Sequence, residues 1–233
     1  MKTILLYSPP ETHACAYIPD REAVSLYADP RHWLNNEELS HLNRLGFRRS
    51  GRLVYRPNCP TCNECTAVRV TAKDMRYNRT MKRKLIASKH IQLSVESAHS
   101  TDEHYQLFEQ YINQRHHDGD MYPPSRQQFN EFLTEHFGNT YFLNARIDGV
   151  LVGCMVFDVF DDGVSSVYCF YQPKLESLSL GTVLICRLTQ LAVWLGLEFN
   201  YLGYLVKDCR KMAYKEQYSP LQAWRNDKWI DRG

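Results

Sequence analysis

Cys59, Cys62 and Cys65 stand at a strict C-x2-C-x2-C spacing within residues 55–65, YRPNCPTCNEC. Two-residue gaps let successive thiolates converge on one centre, which is why structural zinc and iron–sulfur sites reuse them. A ferredoxin-type run would add a fourth cysteine after three more residues, but Thr66-Ala67-Val68-Arg69 follows instead. Cys15 is the nearest fourth candidate, 44 positions before Cys59. The alternative is a set of reduced thiols in a tight loop. Cys154, Cys169 and Cys186 lie in apolar contexts and read as core.

A second chemical signal is charge. Between Arg44 and Lys89 there are thirteen Lys or Arg against only Glu64 and Asp74, an excess of eleven in 46 residues; the whole chain is +2, so the remainder carries −9. Such an excess favours a polyanionic partner, because each phosphate neutralised releases condensed counterions. Arg48, Arg49, Arg56, Lys82, Arg83 and Lys84 are the residues expected to contact nucleic acid, with Phe47, Tyr55 and Tyr77 interleaved as stacking surfaces. A solvated basic face without a ligand is the plainer reading.

These groups need a scaffold. At 233 residues and 44% hydrophobic, the chain can bury one large core or two modest ones. No apolar run approaches the ~20 residues of a membrane span, and the short ILLY patch near the N-terminus is too brief for a signal peptide. A cytoplasmic protein with unpaired thiols is expected. Residues 1–70 are turn-rich. From there the pattern predicts a basic helix over 71–89, a strand over 91–97, and helices over 102–117 and 126–137 opened by Ser100 and Ser125 as caps. Strands follow over 140–147, 150–160 and 164–171, the first two joined by Asp148-Gly149. A long apolar helix over 180–195, a strand over 198–206 and a helix over 208–218 complete the order. That order predicts an α+β layer fold: a cysteine-bearing N-terminal lobe, 1–90, then a domain, 91–233, with a mainly antiparallel central sheet and an N-acetyltransferase (GNAT)-like layout.

Six blocks carry a more specific signal: CAYIPDREA (15–23), GFRRSG (46–51), YRPNCPTCNEC (55–65), YINQRHHDGDMYPP (111–124), SLGTVLI (179–185) and YLGYLVKDCRKMAYKEQYSP (201–220). Together, in this order, they resemble the arginyl-tRNA–protein transferase family, and most closely its bacterial aspartate/glutamate leucyltransferase branch. The resemblance implies transfer of leucine from leucyl-tRNA to the N-terminal amine of proteins beginning with Asp or Glu, marking them for N-degron degradation. It also implies an acetyltransferase-like catalytic domain behind a cysteine-bearing lobe. In eukaryotic relatives that lobe is linked to an iron–sulfur cluster or zinc through a vicinal Cys-Cys pair and a C-G-Y-C motif. This chain has only Cys15 in CAY together with its own triplet, so Cys15, Cys59, Cys62 and Cys65 form the candidate metal set.

Aminolysis of an activated ester needs no cofactor and no covalent intermediate. The attacking amine has an ordinary pKa near ~8, and positioning alone can supply roughly 7–11 kcal/mol. What remains is a proton acceptor and donors for the tetrahedral oxyanion. Tyr204 and Tyr214 are the catalytic candidates. An acidic acceptor calls for a cation, and Arg grips carboxylate bidentately. Arg115, with His116 and Tyr122 nearby, is the expected clamp, although an Arg at a helix C-terminus also simply complements the dipole. Lys211, Tyr214, Lys215 and Tyr218 fall at i, i+3, i+4, i+7 and predict one shared helix face, suited to hold the tRNA 3′ end or position the ester, or simply a solvated face of snorkelling side chains. Ser179 and Gly181 precede the long helix, whose free N–H groups suit an anion. Three other readings compete: arginyl transfer by the same chemistry, an acetyl-CoA-dependent acetyltransferase, and a non-enzymatic RNA-binding protein with a metal knuckle. The acetyltransferase reading would want a richer glycine loop than Leu178-Ser179-Leu180-Gly181-Thr182 and has no use for the basic segment.

Overall fold

The computed structural model describes residues 3–134 and 137–232. In chain order it runs β1 (Leu6–Tyr7), β2 (His13–Ala14), β3 (Glu22–Ala23), β4 (Ser25–Ala28), α1 (Asn36–Arg44), β5 (Arg48–Ser50), β6 (Leu53–Pro57), β7 (Thr66–Thr71), α2 (Arg79–Ala87) and β8 (Gln92–Ser97). It continues with α3 (Asp102–Arg115), α4 (Arg126–Phe129), β9 (Thr140–Ile147), β10 (Val150–Val159), β11 (Gly163–Tyr171), α5 (Leu180–Trp194), β12 (Phe199–Leu205), α6 (Arg210–Ala213), β13 (Leu221–Arg225) and β14 (Lys228–Asp231).

Eight strands form the main sheet in the order β14-β13-β7-β12-β11-β10-β9-β8, and every pairing is antiparallel except β11 with β12. The expected α+β architecture with a mainly antiparallel sheet therefore holds. Side chains alternate across the pleat. Met155 and Phe157 of β10 join Leu184, Leu188 and Ala192 of α5 in one core, while Cys154 and Val156 pack with Phe108 and Ile112 of α3 in the other. A second sheet, β1-β4-β6-β5, packs with α1 around Leu39, Leu42, Phe47 and Val54.

The boundary expected at residue 90 meets a mixed geometry. Residues 66–90 contribute β7, which lies between β12 and β13, and α2, which packs on α5. The helix expected over 71–89 is correspondingly shorter. Val68 and Val70 are buried in β7, and α2 begins only where the Asn78 side chain accepts the Met81 N–H at 2.9 Å. Thr101 rather than Ser100 caps α3, its hydroxyl accepting the His104 N–H at 3.3 Å, while Ser125 caps α4 as expected. The helix expected over 126–137 continues from α4 as a wider turn to Thr134, and its residues 135 and 136 lie outside the described residues. Asp148 and Gly149 both take positive φ, 49° and 81°, as a two-residue hairpin requires. The β13–β14 hairpin was not expected from the sequence.

The last expected helix, 208–218, changes character. α6 ends at Ala213, and residues Tyr214–Gln217 continue as a tighter 3₁₀ turn. A 3₁₀ turn closes in three residues rather than 3.6, so the phase of the face slips. Lys211 and Tyr214 stay exposed, whereas Lys215 and Tyr218 turn inward. The single shared face expected for these four residues does not form.

Candidate active site

β11 and β12 pair only through Gly163, Val164 and Ser165 against Phe199, Asn200 and Tyr201. Beyond that point β11 continues along β10 to Tyr171, while β12 follows β7 through an irregularity between Tyr201 and Gly203. The two strands part, and backbone groups on the facing edges need other partners. Arg48, arriving on β5 of the second sheet, enters this gap. Its guanidinium donates to Ser165 Oγ and to the Ser166 carbonyl on the β11 side. On the β12 side it lies against Gly203, where a Cβ would stand 3.3 Å from the guanidinium nitrogens. Gly203 has φ +83°, so only glycine meets both demands of the position comfortably.

Aromatic and cationic groups gather around the gap. Tyr111 of α3 packs on Tyr171 with centroids 4.9 Å apart, and His116 Nε2 lies 3.1 Å from the Tyr111 hydroxyl. Burial, then the charge of Lys211, lowers the His116 pKa and favours its neutral form. From the other side comes Tyr214, whose residue is 45% exposed although its hydroxyl sits deep beside Cys169 and Arg48. Burial pushes the Tyr214 hydroxyl up to about 12, which keeps it a hydrogen-bond donor at neutral pH. Lys215 is 4% exposed, and its Nζ donates to the Tyr204 carbonyl at 2.8 Å. Burial, reinforced by Arg48, lowers its pKa to about 7.

The expected site residues divide into groups. Tyr204, expected as a proton relay, is buried, and its hydroxyl lies 2.9 Å from the Gly46 carbonyl and 3.1 Å from the Tyr55 carbonyl. Its one proton is thus engaged in tying the two sheets together. Arg115 and His116 sit at the rim; Arg115 Nη1 pairs with Glu176 Oε1 at 2.8 Å. Lys211 is also at the rim, 2.9 Å from Asp118. Tyr122 stands on an exposed turn. Ser179 caps α5 with φ +50°, and a Cβ at Gly181 would lie 3.5 Å from the Tyr171 ring, so the first turn of α5 abuts the gap. Tyr111 and Tyr171 escaped sequence reasoning, since aromatic residues in helices and strands look identical to core.

The basic residues also separate. Arg49 is paired internally with Asp158, Arg56 donates to the Leu45 carbonyl and covers Phe47, and Arg69 stacks on Phe199. Arg48, Arg49 and Arg56 therefore do not form part of a continuous outward basic face, because their guanidinium groups donate to oxygens of the protein itself. The outward cations are concentrated at Lys73, Arg76, Arg79, Lys82, Arg83 and Lys89. Lys84 lies beside them and approaches Thr182 Oγ1 in the first turn of α5 at 3.5 Å. The basic face of α2 thus adjoins the helix start that borders the gap.

Cys15, Cys59, Cys62 and Cys65 line one cavity of about 490 Å³, shared with Tyr17 and Arg21. Burial first, then the neighbouring cysteines, pushes the Cys65 thiol up to about 12. Arg21 Nη1 donates to Cys62 Sγ at 3.3 Å and the Val24 N–H to Cys59 Sγ at 3.4 Å. The donor set suits zinc or an iron–sulfur cluster by type. Among the described residues, however, no three such ligands already stand close enough to share an ion.

Comparison with known proteins agrees with this geometry. Residues 13–83 match the family described as arginine-tRNA-protein transferase, N terminus, and residues 103–225 match its C terminus. A protein of Marinobacter nauticus named aspartate/glutamate leucyltransferase is 40% identical over 229 residues, covering 98% of this chain and 96% of its own. One of the same name from Hahella chejuensis is 38% identical over 230 residues, covering 99% and 98%. The crystal structure of FemX is similar in fold alone, with a TM-score of 0.55 at 8% identity over 90% of this chain and 71% of that one. With both family segments matched in order and relatives aligned end to end, the chain belongs to the arginine-tRNA-protein transferase family.

Proposed function

We infer that this protein transfers leucine from leucyl-tRNA to the N-terminal amine of proteins beginning with Asp or Glu. The observation that carries the reading is the near-full-length identity with proteins named for that activity. The geometry supports it. An open gap in the sheet, fed by the basic face of α2 and the first turn of α5, suits an aminoacyl end entering beside an acceptor amine. Tyr214, its hydroxyl kept protonated by burial, is the group we assign to donate to the oxyanion of the tetrahedral intermediate. His116, neutral at the rim, is the group suited to take the proton that the attacking ammonium must lose. The acetyltransferase-like reading of the domain, the N-degron role of the product and a cytoplasmic location belong to the same proposal. Among the described residues no helix is long and apolar enough to cross a membrane.

Transfer is tested with purified protein, leucyl- or arginyl-tRNA, and peptides beginning with Asp, Glu, Arg or Ala, read by mass spectrometry. One leucine gained on the Asp and Glu peptides alone is the expected result. An arginine gained instead reassigns the donor, and retained tRNA binding without any product favours an RNA-binding protein.

We also propose that the four-thiol cavity is where a metal or cluster would be held, by Cys15, Cys59, Cys62 and Cys65, as a structural tie between the 13–18 and 58–65 segments. No step of transfer requires it. Anaerobically purified protein is expected to carry zinc or iron by elemental analysis, and Cys62→Ser to lose it. Metal-free protein of unchanged melting temperature would overturn this assignment.

A further inference from the structure

Two cations border the gap between β11 and β12, Lys215 buried and Arg48 half-buried, and neither has a carboxylate. Arg48 donates to neutral oxygens, Ser165 Oγ and the Ser166 carbonyl, and Lys215 to the Tyr204 carbonyl at 2.8 Å and the Met212 sulfur at 3.4 Å. Among the described residues no ion pair reaches either of them. The one carboxylate that bears on Arg48, that of Asp158, is held by Arg49 Nε at 2.7 Å. Buried charge without a counter-ion is unfavourable, and here two like charges are pressed together. The rim is the opposite case, because Arg115 and Lys211 already have Glu176 and Asp118.

We propose that Arg48 and Lys215 form the pocket that grips the acidic side chain of the acceptor N-terminal residue, and that they, rather than Arg115, set the preference for Asp and Glu. The proposal rests on the transfer reading above for the identity of the acceptor. A carboxylate here receives a guanidinium and an ammonium. The Tyr214 hydroxyl, near Arg48, stays protonated through burial and adds a donor without competing charge. The other titratable neighbours are Tyr55 and Tyr204, whose hydroxyls burial keeps protonated, and Cys209. Gly203 leaves room for Arg48 to lie flat against β12, so the pocket floor is set by backbone on both sides. A run of phosphates already has a track outside, in the exposed cations of α2.

The test is calorimetric binding of short peptides that differ only in beginning with Asp or Asn, measured without tRNA. Wild-type protein is expected to prefer the Asp peptide at least about tenfold, since a polar site rejects a ligand lacking its partner charge. Lys215→Met should weaken the Asp peptide about tenfold and leave the Asn peptide unchanged, and Arg48→Gln should do so at least as strongly. Equal losses for both peptides, or an unchanged preference, would overturn the pocket. So would unaltered peptide binding with a raised KM for leucyl-tRNA, which assigns the cations to the tRNA end. If Arg48→Gln melts early, Lys215→Met alone decides. Wild-type protein that discriminates the peptides but transfers no leucine leaves the pocket standing and removes the reaction.

Discussion

Arg49→Ala is expected to destabilise the fold by about 3–5 kcal/mol, the range for removing one partner of a buried ion pair. Arg49 Nε lies 2.7 Å from Asp158 Oδ2, with side-chain exposures of 4% and 1%. Arg49 Nη2 also reaches Thr140 Oγ1 at 3.1 Å. The substitution strands a carboxylate inside the junction between the second sheet and β10, where water cannot replace the guanidinium. Chemical denaturation measures the loss. Arg49→Met combined with Asp158→Leu should recover most of it, because an apolar pair removes both desolvation costs. A single-variant loss below about 1 kcal/mol would mean that the pair is not buried in solution. Neighbouring residues of a strand face opposite sides, so Arg49 locks β5 onto the sheet while Arg48 is delivered into the gap.

Lys215→Met is expected to raise stability, and the gain should depend on pH. In the folded chain the Lys215 pKa falls from 10.5 to about 7, through burial first and Arg48 second. Unfolded protein therefore holds a proton that folded protein releases between pH 7 and 10.5, and stability rises with pH across that window. At and below pH 7 the cost of the buried lysine is at its largest, a few kcal/mol at about 1.4 kcal/mol per pKa unit. Methionine abolishes that cost, so the variant gains most near pH 7 and nothing near pH 10.5. Denaturation midpoints at pH 7, 8.5 and 10 would show the shrinking difference; a constant difference would place the ammonium in contact with water. The same substitution should cut the preference for Asp over Asn peptides about tenfold, a trade of function for stability expected where a site holds unfavourable charge.

Local signals in the sequence were reliable where a few neighbouring residues decide the outcome. Asp148-Gly149 specified the β9–β10 hairpin, since only such residues accept positive φ at both positions. The apolar run over 180–195 specified α5, and Ser125 specified the cap of α4. The sequence was misleading where a segment's fate is decided by distant pairing. Residues 66–71 became β7 because β12 and β13 flank them, and 221–231 became a hairpin because β7 offered an edge.

The candidate site follows the same division. By itself the sequence determined the family, the reaction that family membership brings, the basic character of α2 and the strand β12. These rest on residue order and composition, which survive without coordinates. Only the tertiary structure decided that Arg48 and Arg49 point inward, that Tyr204 ties two sheets together, and that Lys215 is buried beside Arg48. Burial and ion pairing depend on which sheet edge a strand meets. Arg48 meets Gly203 across more than 150 residues of chain, a contact that no local periodicity encodes.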